Sequence, residues 1–291
     1  MEFTRKSNSK DRLKINQEGE LCYLTFPKLE ETKVVKHLFT TRMGGVSEGI
    51  YSSMNVSFTR GDDPEHVKEN YARIAKVMGG NPSDFVCSDQ THTVNIRVVT
   101  KEDAGKGVTK PKDYTDVDGL ITQEEGIILS TFFADCVPLY FVDPVTKSIG
   151  LAHSGWRGTA GRMGEKMIAG MEESFGTRRE DLLVAIGPSI CQDCYEVSED
   201  VAVIFQKEFG DGVLKPGKAA GKYQLDLWKA NELVFLQAGL KEEQISVTDI
   251  CTCCNGSLLF SHRFSQGKRG NLGAFMKITT QEEDNGNNIN L

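Results

Sequence analysis

The chain has 291 residues, of which 39% are hydrophobic and 26% are charged, and its formal net charge is −7. These values are typical of a globular protein with a sizeable core, and they exclude a wholly disordered chain. The acidic balance argues against nucleic acid or an anionic membrane as the main partner, because both require clustered Lys and Arg. The charge is compatible with a small-molecule ligand, and since the sequence has no clear self-association surface, we expect a monomer.

The first twelve residues are polar and charged, without the apolar run of a signal peptide, and no stretch approaches the ~20 apolar residues of a membrane span. We therefore expect a cytoplasmic protein with reduced cysteines, which are free thiols, nucleophiles or metal ligands. The composition divides the chain into a flexible N-terminus (1–12), one folded domain (13–280) and a polar flexible tail (281–291).

In chain order, the first half of the domain predicts a strand, a helix and then several short strands. The strand at 37–41 leads into a loop with three glycines, and Asp63 and Pro64 mark a helix start, because apolar residues follow at the spacing of one helix face. Apolar runs then predict strands at 84–90, 95–100, 119–122, 127–132 and 139–142.

The second half alternates strands and helices. A strand at 149–153 runs through a glycine-rich turn into a helix whose apolar face is Met163, Met167, Met171 and Phe175. Further strands are predicted at 182–186, 245–248 and 258–260, and further helices at 201–209 and 225–238. This mixture predicts a single α/β (α+β) domain, a layered sandwich with a mixed β-sheet.

Three metal-capable side chains stand beside strand ends or tight turns: His92, Cys136 and His153. Ligands collect at strand ends in α/β folds, and two imidazoles with one thiolate leave a coordination position open, as catalytic zinc sites do. Because 44 and 17 residues separate the three, no local spacing rule connects them. The alternative is a buried thiol and two hydrogen-bonded histidines.

The segment HSGWRGT (153–159) joins a strand, a glycine-rich turn and a helix start. Free backbone N–H groups around Gly155 and Gly158, together with the planar cation of Arg157, suit a phosphate or another anion. The alternative is a tight turn that needs glycine for its geometry, with Arg157 paired to a surface carboxylate.

The remaining cysteines allow more than one interpretation. Cys191 and Cys194 have the spacing of a redox or zinc pair, and Cys251, Cys253 and Cys254 could complete a four-thiolate site. Read as C-x-C-C, the second group differs from a C-x-x-C pair, so we expect ordinary thiols here rather than structural zinc or a disulfide.

Eight segments in this order resemble one family: HLFTTRMGGVSEG (37–49), DQTH (89–92), DVDGLIT (116–122), ADCVPLYFVDP (134–144), HSGWRGT (153–159), GPSICQDCYEV (187–197), CT (251–252) and FSHRFSQGKRG (260–270). Over about residues 37–275 the sequence resembles the YfiH/YlmD/LACC1-type family, once called multicopper polyphenol oxidases and now described as purine nucleoside phosphorylases.

The resemblance implies a single-domain α/β sandwich with a zinc site formed by His92, Cys136 and His153. It implies phosphorolysis of adenosine, inosine, guanosine and methylthioadenosine by inorganic phosphate, with deamination of adenosine as a second activity. The family's first-block arginine falls on Arg42, and the last block supplies Arg263 and Arg269.

These reactions require further groups. Deamination needs a proton-shuttling carboxylate, and Asp135 is the nearest in sequence, although strand alternation could instead bury it as a support for the ligands. Phosphorolysis needs cationic groups beside the ribose. Arg42, Arg157 and the helix N-terminus after Gly158 are the phosphate partners that we expect.

Three other functions are compatible with parts of the pattern. A copper-dependent polyphenol oxidase would use Cu2+ at the same residues, but five histidines in the chain are too few for several imidazole-rich copper sites. A hydrolase would use Cys136 as nucleophile and His153 as base. A non-enzymatic metal- or nucleotide-binding module would bind nucleosides without turnover.

Overall fold

Two six-stranded β-sheets pack face to face, and helices cover their outer faces, in a computed structural model that describes residues 2–6 and 12–279. This is the single, layered and mixed α/β domain that the alternation of strands and helices predicts. No helix in the described part of the chain is long and apolar enough to cross a membrane.

The strands are β1 (Lys14–Glu18), β2 (Leu21–Thr25), β3 (Val35–Thr40), β4 (Phe85–Cys87), β5 (Ile96–Val98), β6 (Gly119–Thr122), β7 (Ile128–Phe133), β8 (Val137–Asp143), β9 (Ser148–Ser154), β10 (Leu183–Ile186), β11 (Glu196–Ser198), β12 (Leu214–Pro216), β13 (Lys222–Leu225), β14 (Ile245–Val247) and β15 (Leu272–Ile278). The helices are α1 (Pro27–Glu30), α2 (Pro64–Met78), α3 (Trp156–Ala160), α4 (Met163–Phe175), α5 (Glu199–Phe209) and α6 (Leu227–Gln237).

The first sheet has the order β1-β2-β3-β15-β7-β4 and is antiparallel except for the β4–β7 pair. The second has the order β14-β10-β8-β9-β6-β5, with parallel pairs only at its two edges. A small sheet, β11-β13-β12, completes the described strands. The antiparallel β6–β9–β8 unit at the centre of the second sheet determines where the candidate site residues lie.

Alternation along β8 divides the core into layers, because successive side chains of a strand point to opposite faces. Tyr140 and Val142 belong to the core between the two sheets. Leu139 and Phe141 face the other way, toward α4 and α6, where Phe141 packs against Phe235. On the opposite outer side of the domain, α2 covers the first sheet.

The predicted helix start at Asp63 is confirmed. The Asp63 side chain accepts a hydrogen bond from the backbone N–H of Glu65, and Pro64 occupies the first turn, where its missing N–H costs nothing. Gly79 ends α2 in the left-handed conformation, with φ +67°.

Two expectations from the sequence differ from the structure. The turn expected at 154–159 contains the short helix α3. The helix with the methionine face, α4, begins after the chain turns at Gly161 and Arg162, where Arg162 has φ +61°. No strand forms at 258–260, where the backbone N–H groups of Leu258 and Leu259 both bond to the carbonyl of Asn255 in a turn. Residues 258–260 are nevertheless largely buried, so an apolar run there reflects burial rather than pairing.

The β1–β2 hairpin and the central strand β15 were not expected from the sequence. Residues 2–6, within the segment expected to be flexible, pack in the structure: Phe3 is buried and Arg5 forms an ion pair with Asp249. Residues 1, 7–11 and 280–291, including the tail expected to be flexible, lie outside the described residues.

Candidate metal centre and adjoining cavity

His92, Cys136 and His153 come together, with one donor atom from each within 4.8 Å of the others. Cys136 directly precedes β8, and Val137 pairs with Ser154 in the antiparallel β8–β9 hairpin. The register therefore brings Cys136 beside the end of β9, although it lies 17 positions before His153 in the chain.

Asp118 determines the orientation of His153. It precedes β6, whose Gly119 pairs with Ala152 of β9, so Asp118 lies opposite His153 in the sheet. The backbone N–H of His153 donates to the Asp118 carbonyl at 2.8 Å, and its Nδ1 lies 2.7 Å from Asp118 Oδ1. This contact leaves Nε2 as the nitrogen available to a metal, an arrangement common to metal-binding histidines.

The same carboxylate holds the loop that carries His92. It accepts hydrogen bonds from the backbone N–H groups of Thr91 at 3.1 Å, His92 at 3.2 Å and Thr93 at 2.9 Å. His92 has φ +67°, an unusual conformation for a residue with a side chain, and these bonds stabilise it. Asp118 was not expected as a site residue; the available signal was an aspartate directly before a buried strand.

The charges of the three side chains are coupled. Burial would raise the pKa of the Cys136 thiol, but His153 and His92 lower it to about 6. Burial would lower the pKa of His153, but Cys136 and Asp118 raise it to about 9. Cys136 is therefore a thiolate at neutral pH, the form that binds metals.

The donor set fits a resident transition metal. Two imidazoles and one thiolate are ligands that zinc and copper both accept, and three protein donors leave a coordination position for another molecule. Gly155 lies directly against the group: a Cβ on it would be 2.9 Å from His92 Cδ2 and 3.1 Å from Cys136 Sγ. A side chain there would enter the space between the donors.

The metal-capable group opens into a cavity of about 800 Å³. That volume lies within the ~300–1,000 Å³ typical of small-molecule sites. The cavity has an apolar part formed by Val56, Phe58, Val108 and Phe132, and its cationic side chains are Arg60, Lys68, Lys110, Lys112 and Arg269.

Arg269 is a half-buried cation of the cavity. Burial, and then the nearby charge of Arg60, lower its pKa to about 10. Its Nη1 donates to the carbonyl of Gly270 at 3.1 Å and also contacts Asn271 Oδ1, whereas its buried Nε has no hydrogen-bond partner among the described residues. The Arg269 side chain nevertheless lines the cavity, and its planar cationic group suits an anion bound there.

Arg42 and Arg157, the arginines expected to bind phosphate, are not among the residues that line the cavity. Arg42 donates to the carbonyls of Ser52 at 2.9 Å and Gly256 at 3.1 Å, and it lies over the Phe260 ring. Arg157 is exposed and lies over the ring of its neighbour Trp156. Gly158 lies within the short helix α3.

Asp135 is buried, and both of its carboxylate oxygens accept hydrogen bonds. Thr252 Oγ1 donates to Oδ1 at 2.6 Å, and the backbone N–H of Arg263 donates to Oδ2 at 2.7 Å. These contacts direct the carboxylate toward the loops behind Cys136. Asp135 is not among the residues that line the cavity.

Comparisons with known proteins show which family and which fold this chain shares. A family model described as multi-copper polyphenol oxidoreductase laccase matches residues 36–279. "Purine nucleoside phosphorylase YlmD" of Bacillus subtilis is 38% identical over 82% of this chain and 86% of its own. "Adenosine deaminase RL5" from an unknown prokaryotic organism is 32% identical over 81% and 92%. The crystal structure of Bacillus licheniformis YfiH, 32% identical, superposes with a TM-score of 0.85 over 91% of this chain and 99% of that one.

Proposed function

The chain belongs to the multi-copper polyphenol oxidoreductase laccase family, and we propose that it is a zinc-dependent purine nucleoside phosphorylase acting on adenosine, inosine, guanosine and methylthioadenosine. The observation that carries the proposal is that a three-donor metal-binding group and a half-buried arginine, Arg269, line one cavity of nucleoside size. The names of the relatives support the same reaction class.

His92, Cys136 and His153 would hold the ion, and Asp118 would act as a positioning residue for both histidines. A Zn2+ ion bound there would supply Lewis acidity at neutral pH. Cu2+ remains the alternative metal, since the donor set accepts both.

The phosphorolysis step requires phosphate beside the ribose. A phosphate oxygen forms a bond to C1′ while the N-glycosidic bond breaks, and the purine leaves with the electron pair and takes up a proton. Positive charge develops on the ribose as that bond lengthens, and fixed cations hold the attacking phosphate in place. In our proposal Arg269 and Arg60 take this role, instead of Arg42 and Arg157, because they line the cavity. The purine would lie against the apolar wall near Phe58 and Phe132.

Deamination of adenosine is the second activity that we propose, because one relative is named an adenosine deaminase. In that reaction water adds to C6, ammonia leaves, and a nearby group carries a proton from the water to the leaving nitrogen. Since both oxygens of Asp135 are bonded to neighbouring loops, we assign the proton transfer to Asp89, a carboxylate that lines the cavity and pairs with Lys112.

The test incubates the protein with each nucleoside, with and without phosphate, and separates free base, inosine and ribose 1-phosphate. Metal content is measured in parallel. Cys136→Ser should lose the metal of this site and both activities, whereas His66→Asn, on α2 outside the cavity, should keep them. Arg269→Met should raise the KM for phosphate about 10- to 100-fold, because the variant loses one charge-assisted hydrogen bond to phosphate. Arg178→Met at the surface should leave this KM unchanged.

Other outcomes would favour the alternatives. Wild-type protein that makes neither free base nor inosine would refute the proposal and leave a binding module. A strong visible copper–thiolate band at full occupancy, with phenol oxidation, would indicate the oxidase. Activity that survives chelation but is lost on alkylation of Cys136 would indicate a Cys–His hydrolase.

A further inference from the structure

A second group of metal-capable side chains lies outside the residues that line the cavity. It consists of four thiols, with each sulfur within 4.8 Å of the others: Cys191, Cys194, Cys251 and Cys254. We propose that these four cysteines bind a structural zinc ion. The inference rests on the geometry of this group and is independent of the proposed function.

The distances between the sulfur atoms fit a tetrahedral ion. Sγ of Cys254 lies 3.5 Å from Sγ of Cys194 and 4.0 Å from Sγ of Cys191. With Zn–S bonds of about 2.3 Å, the sulfurs of a tetrahedral site are about 3.8 Å apart. The observed values lie on either side of this spacing, and both are far longer than the ~2.05 Å of a disulfide.

The spacing of the four cysteines along the chain is that of two zinc-binding pairs. Cys191 and Cys194 form one C-x-x-C pair, and Cys251 and Cys254 form a second across Thr252 and Cys253. The backbone N–H groups of Cys191 and Cys254 donate to Sγ of Cys251 at 3.2 and 3.4 Å. Hydrogen bonds from N–H groups to sulfur favour the thiolate over the thiol.

Charge and burial are consistent with a closed site. Lys6 pairs with Asp193 and also interacts electrostatically with Cys191 and Cys254, so its ammonium group would offset part of the negative charge of four thiolates around a divalent ion. Cys191 and Cys251 are buried, and the other two thiols are partly buried. Four protein ligands leave no position for substrate, which is typical of structural rather than catalytic zinc.

The ion would connect two loops that hold the turn before Cys136. The backbone N–H of Ile190, next to Cys191, donates to the Asp135 carbonyl at 3.0 Å, and Thr252, next to Cys251, bonds the Asp135 carboxylate. A zinc ion joining these loops would therefore stabilise the backbone from which Cys136 reaches the first metal-binding group.

The direct test is the zinc content of the full chain after loading and removal of loosely bound metal. Wild type should hold two ions per chain, and Cys136→Ser should hold one. The double variant Cys194→Ser/Cys254→Ser should also hold one. Cys253→Ser is the matched control: it removes a neighbouring thiol outside the group of four and should keep both ions.

A measurement on the intact group separates loss of ligands from loss of folding. In Cys136→Ser protein loaded with Co2+, the intense visible bands and thiolate charge transfer of a four-sulfur tetrahedral site should appear, and chelation should lower the Tm. The proposal is overturned if wild type holds a single ion and Cys136→Ser holds none. It is equally overturned if mass spectrometry of protein kept under reducing conditions finds a disulfide within the group.

Discussion

Replacing Asp118 by asparagine should weaken the metal centre without touching a ligand. Oδ1 of Asp118 accepts hydrogen bonds from His153 Nδ1 and the His92 N–H, and Oδ2 accepts from the N–H and hydroxyl groups of Thr93. Asparagine has nearly the same shape but replaces one oxygen by an NH2 group. Both oxygen positions of Asp118 accept hydrogen bonds, so the NH2 group of asparagine would face a donor in either position. At least one buried donor would therefore lose its acceptor.

The size of the effect follows from these contacts. Loss of the hydrogen-bond partner that orients a metal-binding histidine typically lowers metal affinity about 10- to 100-fold, or by about 1.4 to 2.7 kcal/mol. Leaving buried donors unpaired should also reduce the free energy of unfolding by about 1–3 kcal/mol. Because Asp118 holds both histidines, we expect the upper part of the affinity range.

The assay is competition for zinc with a chromogenic chelator, with Cys136→Ser defining the contribution of this site. Asp116→Asn is the matched control, since Asp116 accepts from Thr91 Oγ1 nearby but does not contact either histidine. Zinc affinity equal to wild type in a folded Asp118→Asn variant would refute the reasoning, as would an equal loss in Asp116→Asn.

Three further predictions concern other parts of the molecule. Burial lowers the pKa of His37 to about 3 from 6.5, so below pH ~6.5 the unfolded state binds a proton that the folded state does not. The free energy of unfolding should therefore decrease by about 1.4 kcal/mol for each unit by which the pH is lowered from ~6.5 to ~4.5. Urea unfolding of wild type and His37→Gln should show a shallower pH dependence in the variant. Gly155→Ala should reduce zinc affinity in the chelator assay because its Cβ would enter the donor group, whereas Gly158→Ala, with its nearest contact at 3.5 Å, should not. Asp63→Ala should lose the N-cap hydrogen bond of α2 and about 1 kcal/mol of stability in thermal unfolding, and no change would contradict the capping role.

The sequence alone was sufficient for features that depend on neighbouring residues. Apolar spacing and capping predicted α2 from Asp63, and the methionine stripe predicted α4, because a helix face is a local pattern. The strand β6 was predicted with its observed bounds because a short strand is also a local pattern of residues. Residue type also indicated His92, Cys136 and His153 as metal-capable, since few side chains bind transition metals.

The second thiol group depends both on local spacing and on the fold. The sequence contains Cys251-x-x-Cys254 as well as Cys191-x-x-Cys194, and Cys253 lies within the second pair. Cys194 and Cys251 lie 57 positions apart (251 − 194), so only the fold determines that they are close together.

Tertiary structure decided which of the candidate residues share a site. Antiparallel register in the β6–β9–β8 unit brings Asp118 and Cys136 to His153, and register depends on pairing between distant segments rather than on local sequence. Packing likewise decided which arginines reach the cavity: Arg42 is bonded to backbone carbonyls, whereas Arg269 lines the cavity. A side chain's chemistry is encoded at its own position, but its partners are set by the long-range contacts of the folded chain.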